Sequence, residues 1–135
     1  MQFNLTKEQS QVHERALAIK RDCDQLEWQM IECLQEIDRL KIFKYLGFPS
    51  LFQYAVQCLE FSESVVYSFI NVARKAAVVD ELKAALRTKV LSVSKASRAV
   101  SAMTEENATE LIGFARNHSS REIDFEVARI NPKAT

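Results

Sequence analysis

No glycine or proline interrupts the chain before Gly47, and this continuous stretch constrains the fold more than any other feature. Glycine and proline weaken or break helices, so their absence over residues 1–46 permits one long helix. The whole chain of 135 residues contains only two glycines and two prolines, whereas sheet-rich folds need many tight turns. The sequence therefore predicts an all-α protein.

Apolar side chains recur along this stretch at alternating intervals of four and three residues. This a/d heptad stripe is the pattern of a coiled-coil seam. Thr6 followed by Gln9 is a capping-box pattern and marks the helix start. The stripe consists of Val12, Ala16, Ile19, Cys23, Leu26, Met30, Cys33, Ile37 and Leu40.

Two interpretations of the long helix compete. It either pairs with the helix of a second chain or packs against its own domain, and the additional apolar face of Trp28, Ile31 and Leu34 suits the second arrangement. The unbroken heptad pattern favours a homodimer or another helical partner. The expected contact residues are Val12, Ile19, Cys23, Leu26, Met30 and Ile37.

After the break at Gly47-Phe48-Pro49, the pattern changes to short helices. We expect two parts: residues 1–46 as the long helix and possible dimerisation segment, and residues 47–135 as a compact array of about six short helices. Each short helix has a polar residue suited to its N-terminus. These residues are Ser50, Ser62, Asp80, Ser92 or Ser94, Thr104 with Asn107, and Ser119 with Glu122.

The segment from residue 51 to 71 has the pattern of a helix-turn-helix. Two short helices flank a brief turn, with Glu60 where such turns usually carry glycine. The positions that must be apolar are Val56, Leu59, Phe61, Val66 and Phe69. Polar residues then face outward, where they could reach base edges and phosphates of DNA. The predicted DNA-binding residues of this face are Ser62, Ser64, Tyr67, Ser68 and Asn71.

Charge is balanced overall, with 18 basic and 18 acidic residues, so the chain lacks the overall field of a strongly basic protein. Residues 71–101, however, carry seven basic and two acidic side chains, and both flanks are negative. This segment forms either a solvated helix surface or a phosphate-binding patch. The residues we expect on phosphates are Arg74, Lys75, Lys95 and Arg98.

The three cysteines, Cys23, Cys33 and Cys58, form no CxxC pair and have no nearby histidine. This spacing argues against a disulfide framework and against zinc, and predicts buried free thiols in a reducing cytoplasm. No signal peptide and no membrane-spanning run is present in the sequence. A cytoplasmic protein with no membrane association is expected.

No catalytic motif was found in the sequence. His13 lies among the polar residues of the first helix and His118 lies in a turn, so neither is expected to bind a metal. There is no nucleophile motif and no glycine-rich phosphate loop. We expect no catalytic residue, no metal and no cofactor.

Two long runs, SLFQYAVQCLEFSESVVYSFINVARKAAVVDELKAAL and LSVSKASRAVSAMTEENATELIGFARNHSSREIDFEVARI, together resemble the N-terminal helical region of bacterial HNH-endonuclease-like proteins. Their order is also similar to the helix-turn-helix DNA-binding domain of ParB-type partition proteins. The matching elements are Ser62 to Arg74, Leu91-Ser92 to Ala102, and Ser119 to Val127, within residues 34–130. The resemblance implies a helical DNA-binding fold.

The sequence departs from these families at two places. The His-Asn-His nuclease motif is absent, since the chain has only His13 and His118, so the resemblance implies no cleavage activity here. Ser68 and Phe69 stand where family members carry arginine pairs. The sequence therefore favours a non-catalytic DNA-binding protein that dimerises through its long helix. The alternative is a helical protein-interaction module that has lost DNA contact.

Overall fold

The computed structural model describes residues 4–132, and these residues are all-α, with no β-strand among them. This confirms the predicted fold class. The helices are α1 (Lys7–Leu40), α2 (Ile42–Tyr45), α3 (Leu51–Gln57), α4 (Glu63–Val78), α5 (Asp80–Arg87), α6 (Val93–Ala99), α7 (Ala108–Asn117) and α8 (Ser120–Ile130), with a 3-10 turn at Val100–Ala102 after α6.

Helix α1 starts with the predicted capping box. Gln9 N donates to Thr6 Oγ1 at 3.1 Å, and Thr6 N donates to Gln9 Oε1 at 2.9 Å. The prediction that this helix continues to Gly47 is wrong, because Lys41 adopts left-handed backbone (φ 55°) and ends α1. The chain then turns, and Phe43 in the one-turn helix α2 enters the core.

Four of the predicted serine caps are confirmed. The hydroxyls of the N-cap serines of α3, α4, α6 and α8 each accept a backbone N–H three residues later. These serines are Ser50, Ser62, Ser92 and Ser119. Thr104 and Asn107 also bond each other, but they close a turn, and α7 begins only at Ala108.

Helix α4 lies at the centre of the domain and packs against α1, α3, α5 and α6. A single cluster of buried apolar residues joins these helices to α7 and α8. Its largest fully buried side chains are Ile31, Leu34, Leu51, Val66, Val72, Val79, Leu82, Leu91, Met103 and Ile123. The C-terminal half of α1 therefore shares one core with residues 47–132.

The two halves of α1 differ in burial. Trp28, Ile31 and Leu34 are buried in the core, whereas none of the described residues before Trp28 is buried. At 1.5 Å per residue the 34 residues of α1 span about 51 Å, so a large part of this helix carries no core side chain. No helix in residues 4–132 is long and apolar enough to span a membrane.

The prediction of buried thiols is wrong, because Cys23, Cys33 and Cys58 are all exposed free cysteines. Cys23 lies in the part of α1 that precedes its first buried residue, Trp28. Cys33 lies between the buried Ile31 and Leu34 in sequence but is about 100° or more from each around the helix. Cys58 follows the last turn of α3, at its C-cap, where the chain leaves the helix.

Candidate nucleic-acid interface

Helix α4 carries a polar stripe opposite its buried face. Ser64, Tyr67, Asn71 and Arg74 follow each other at intervals of three or four residues, which places them on one side of the helix. The buried residues Val66, Ile70 and Ala73 occupy the other side. Tyr67 is 66% exposed, so the outward face predicted from the sequence is not sealed inside the core.

Tyr67, Asn71 and Arg74 of this stripe lie in one wall of an open groove of about 820 Å³. The 3-10 turn and α6 supply the opposite wall, and α8 contributes Asp124 and Val127. Five of the nine predicted DNA-binding residues line this groove, namely Tyr67, Asn71, Arg74, Lys75 and Arg98.

Each of the three cations in the groove is held by a neighbour. Arg74 Nε lies 3.3 Å from Asp38 Oδ2, and Arg98 Nη1 lies 3.2 Å from Asp124 Oδ2. Both arginine side chains remain more than half exposed. Such exposed pairs are worth at most about 1 kcal/mol, so a phosphate oxygen can compete with the carboxylate for either guanidinium.

Lys75 is fixed differently. Its Nζ donates a hydrogen bond of 2.9 Å to the backbone carbonyl of Met103, so its charge is oriented but not neutralised. The groove is lined by three cationic side chains and the carboxylate of Asp124, and Asp38 supplies a second carboxylate beside Arg74. One surplus positive charge remains, that of Lys75, and it suits an anion.

Four predicted residues lie outside this groove. Ser62 is the N-cap of α4, and its hydroxyl accepts the amide of Val65 at 3.4 Å. Ser64 is exposed and Ser68 half-buried, on the same helix. Lys95 is turned towards the end of α7, where its Nζ donates to the carbonyl of Arg116 at 3.3 Å.

Three polar groove residues were not predicted from the sequence, namely Ser97, Ser101 and Asp124. Ser97 and Ser101 are four residues apart, beside Arg98, so helical periodicity could have added them once Arg98 was selected. No local pattern could have added Asp124, because α8 reaches the groove only through tertiary packing.

The predicted dimerisation residues fall into two groups. Val12, Ile19, Cys23 and Leu26 are exposed on the N-terminal half of α1. Met30 and Ile37 continue the same stripe but are half-buried against the chain's own core. The chain's own core therefore covers the stripe only in the C-terminal half of the helix.

The titratable groups of the described residues provide no metal site, since residues 4–132 contain no cluster of three His, Cys, Asp or Glu side chains suited to a metal ion. Burial raises the pKa of Glu27 on α1, with a smaller contribution from Asp24. His118 stacks on Phe114 with ring centroids 3.8 Å apart, at the end of α7.

Comparison with family models, curated proteins and solved structures found no match for this chain.

Proposed function

We propose that this chain is a non-catalytic DNA-binding module in which α3 and α4 act as a helix-turn-helix. The observation that carries the proposal is the groove in which Arg74, Lys75 and Arg98 converge beside Tyr67 and Asn71. Arginine and lysine supply phosphate contacts, and asparagine can pair with a base edge. The sequence resemblance to ParB-type and HNH-endonuclease-like proteins implies a helical DNA-binding fold of the same kind.

The geometry of the α3–α4 connection supports a helix-turn-helix. Residues 58–62 join the two helices, which pack on each other. Glu60 has φ 61°, the left-handed conformation for which glycine is favoured. The turn therefore has the backbone for which the glycine of such motifs is needed, although the residue itself differs.

A salt-dependent mobility shift on mixed-sequence duplex DNA tests this proposal. We expect binding that weakens steeply between about 50 and 200 mM salt, because each phosphate contact releases a counterion. Arg74→Ala or Arg98→Ala should weaken binding roughly tenfold, the effect of losing one charged hydrogen bond. Each substitution should also make the slope of log binding constant against log salt concentration shallower by about one.

Arg87→Ala is the matched control, because Arg87 is exposed on α5 and lies outside the groove. It changes net charge by the same amount and should leave affinity nearly unchanged. Lys95→Ala should behave like this control, since Lys95 Nζ is turned towards α7. Equal losses from Arg87→Ala and Arg98→Ala would show that binding follows overall charge and would contradict the groove.

Asp124→Ala gives a change of the opposite sign. Asp124 is the carboxylate of the groove and pairs with Arg98. Its removal frees the guanidinium for phosphate, so we expect binding about two- to fivefold tighter. A protein that shifts no duplex at low salt, in any of these variants, does not have the proposed function.

A helical protein-interaction module is the second candidate function, favoured by the exposed apolar residues of α1. The absence of a mobility shift together with a defined oligomer would favour this candidate. For either function we propose the cytoplasm as the compartment, because exposed free thiols persist where the environment is reducing.

A further inference from the structure

The N-terminal half of α1 exposes an apolar stripe. None of residues 4–132 covers this stripe. Val12, Ile19 and Leu26 of α1, together with Leu5 just before the helix, are between 48% and 61% exposed, and Ala16 and Cys23 lie exposed between them. We call these six residues the α1 seam. Contiguous exposed apolar surface of this kind marks a protein interaction site.

The α1 seam lies along α1 before the part of the helix that the core covers. Ala16 and the buried Leu34 are 18 residues apart, which is five full turns, so they lie on the same side of the helix. The seam is accessible because no described residue before Trp28 is buried, and the domain packs against this side only further along the helix. Met30 and Ile37 extend the seam towards the core, which sets the limit of the free surface.

We propose that the α1 seam binds a second copy of this chain, in an antiparallel two-stranded coiled coil. In the register we assign, Ala16 lies opposite Ile19 of the second copy, Val12 lies opposite Cys23, and Leu26 lies opposite the polar Gln9. The two-fold axis passes between residues 17 and 18. Each layer joins an a position to a d position, as antiparallel pairing of heptads requires.

The charges that flank the seam select this orientation. In the assigned register Arg15 lies beside Asp22 of the second copy, and the symmetry produces this attractive pair twice. Both side chains are exposed in the single chain. The other flanking contacts, Glu8 with Gln29 and Lys20 with His13, bring no two carboxylates together.

The other arrangements bring like charges together. A parallel, in-register coil would set Arg15 beside Lys20 and Asp22 beside Glu27 of the second copy, each twice. An antiparallel coil shifted by one heptad would set Lys20 beside Lys20 of the second copy, and Asp22 beside Asp22 of the second copy. Like charges at these positions oppose pairing and determine partner orientation.

Self-association through the α1 seam does not depend on DNA binding. It names a second copy of this chain as the partner of the helical protein-interaction module, the second candidate function. An antiparallel coil places the two domains at opposite ends, with the Leu34 residues of the two copies about 50 Å apart along the axis. Both grooves remain accessible. Failure of the mobility shift would leave this proposal standing, and failure of self-association would leave the groove standing.

Sedimentation velocity over a range of concentrations tests the association. We expect a concentration-dependent dimer, and Ile19→Asp should return it to monomer. Gln25→Asp is the matched control, since it adds the same charge at an exposed position on another side of α1, and should leave the dimer unchanged. A chain that stays monomeric at every concentration, or an Ile19→Asp variant that dimerises like the unaltered chain, would overturn the proposal.

Asp22→Arg tests the orientation through the sign of its effect. In the antiparallel register it sets an arginine against Arg15 of the second copy, so the dimer should weaken roughly tenfold for two lost pairs. The double change Arg15→Asp with Asp22→Arg restores opposite charges and should restore the dimer. In a parallel coil Asp22→Arg would pair with Glu27 and strengthen the dimer, and that result would overturn the orientation.

Cross-linking with a short bismaleimide tests the register, in a background of Cys33→Ser and Cys58→Ser. With Cys23 alone, the two thiols are about 16 Å apart along the antiparallel coil, and we expect no cross-linked dimer. Adding Val12→Cys places a thiol opposite Cys23 of the second copy, and cross-linking should appear. Efficient cross-linking through Cys23 alone would indicate a parallel coil and reject the assigned register.

Discussion

Among residues 4–132, three residues other than glycine adopt left-handed backbone, namely Lys41, Glu60 and Lys89, with φ between 55° and 62°. This conformation costs a residue with a β-carbon about 1–2 kcal/mol. Within two residues of each one, the chain directs an apolar side chain into or against the core: Phe43, Phe61 and Leu91. The packing energy of these side chains offsets the backbone cost at each turn.

Glu60→Gly is expected to stabilise the protein. Glycine removes the strain of φ 61° but costs more entropy on folding, so the net gain should be about 0.5–1 kcal/mol. Thermal unfolding followed by circular dichroism should show a rise of roughly 3 °C in Tm. Glu60→Ala is the matched control, because it removes the same carboxylate and keeps the β-carbon, and it should give no such rise.

At the scale of helices, the starts follow from local chemistry. In α8, Ser119 Oγ accepts the amide of Glu122 at 3.2 Å, and Glu122 Oε1 accepts the amide of Ser119 at 2.9 Å. The hydrogen bond from the Ser119 amide, followed by the bond with the Ser119 side chain, lowers the pKa of Glu122. Charge on this carboxylate therefore stabilises the folded state.

Glu122→Gln should reduce the pH dependence of stability. Because the folded pKa of Glu122 is lowered, its contribution is fully present above the unfolded pKa of about 4.3 and is lost as pH falls through the folded pKa. The difference in free energy of unfolding between the unaltered protein and Glu122→Gln should therefore shrink as pH drops from 7 towards 3. Urea unfolding at several pH values measures this, with Glu106→Gln at an exposed turn position as control. A difference that stays constant with pH would contradict the assignment.

The two halves of α1 should respond differently to the same kind of substitution. Ile31 is fully buried and Leu26 is 61% exposed. Ile31→Ala should therefore cost about 2–5 kcal/mol through lost burial and the cavity left behind, whereas Leu26→Ala should stay within about 0.5 kcal/mol in the monomer. Chemical unfolding at low protein concentration compares the two. Similar losses from both would mean that the N-terminal half also packs on the domain.

At the scale of the whole molecule, one core organises surfaces that come from distant parts of the chain. The groove combines Tyr67 and Arg74 of α4 with Arg98 of α6 and Asp124 of α8. The α1 seam lies outside that core, on a helix whose other half is anchored through Trp28 and Ile31. The molecule therefore presents two separate surfaces, one charged and one apolar.

Hydrogen exchange should distinguish these regions. Amides of the first half of α1, roughly residues 11–24, should exchange much faster in dilute protein than those of α4, because little core packing opposes their local opening. If the seam pairs with a second copy, their protection should rise with protein concentration, while protection of Val66 to Ala76 stays constant. Protection in the α1 half that equals that of α4 in the monomer would contradict the difference in burial.

The local features of this protein follow from its sequence alone. Three features depend on contacts between residues three or four apart, which periodicity and capping chemistry reveal. They are the all-α class, the outward stripe of α4, and the helix starts at Ser50, Ser62, Ser92 and Ser119. Other features required the tertiary structure, because they depend on residues far apart in the chain. These are the break at Lys41, the exposure of all three cysteines, the direction of Lys95, the groove wall at Asp124, and the division of the heptad stripe into an exposed half and a half-buried one. A helix pattern identifies which side of a helix is apolar, but only the packing of the other helices determines how much of that side they cover.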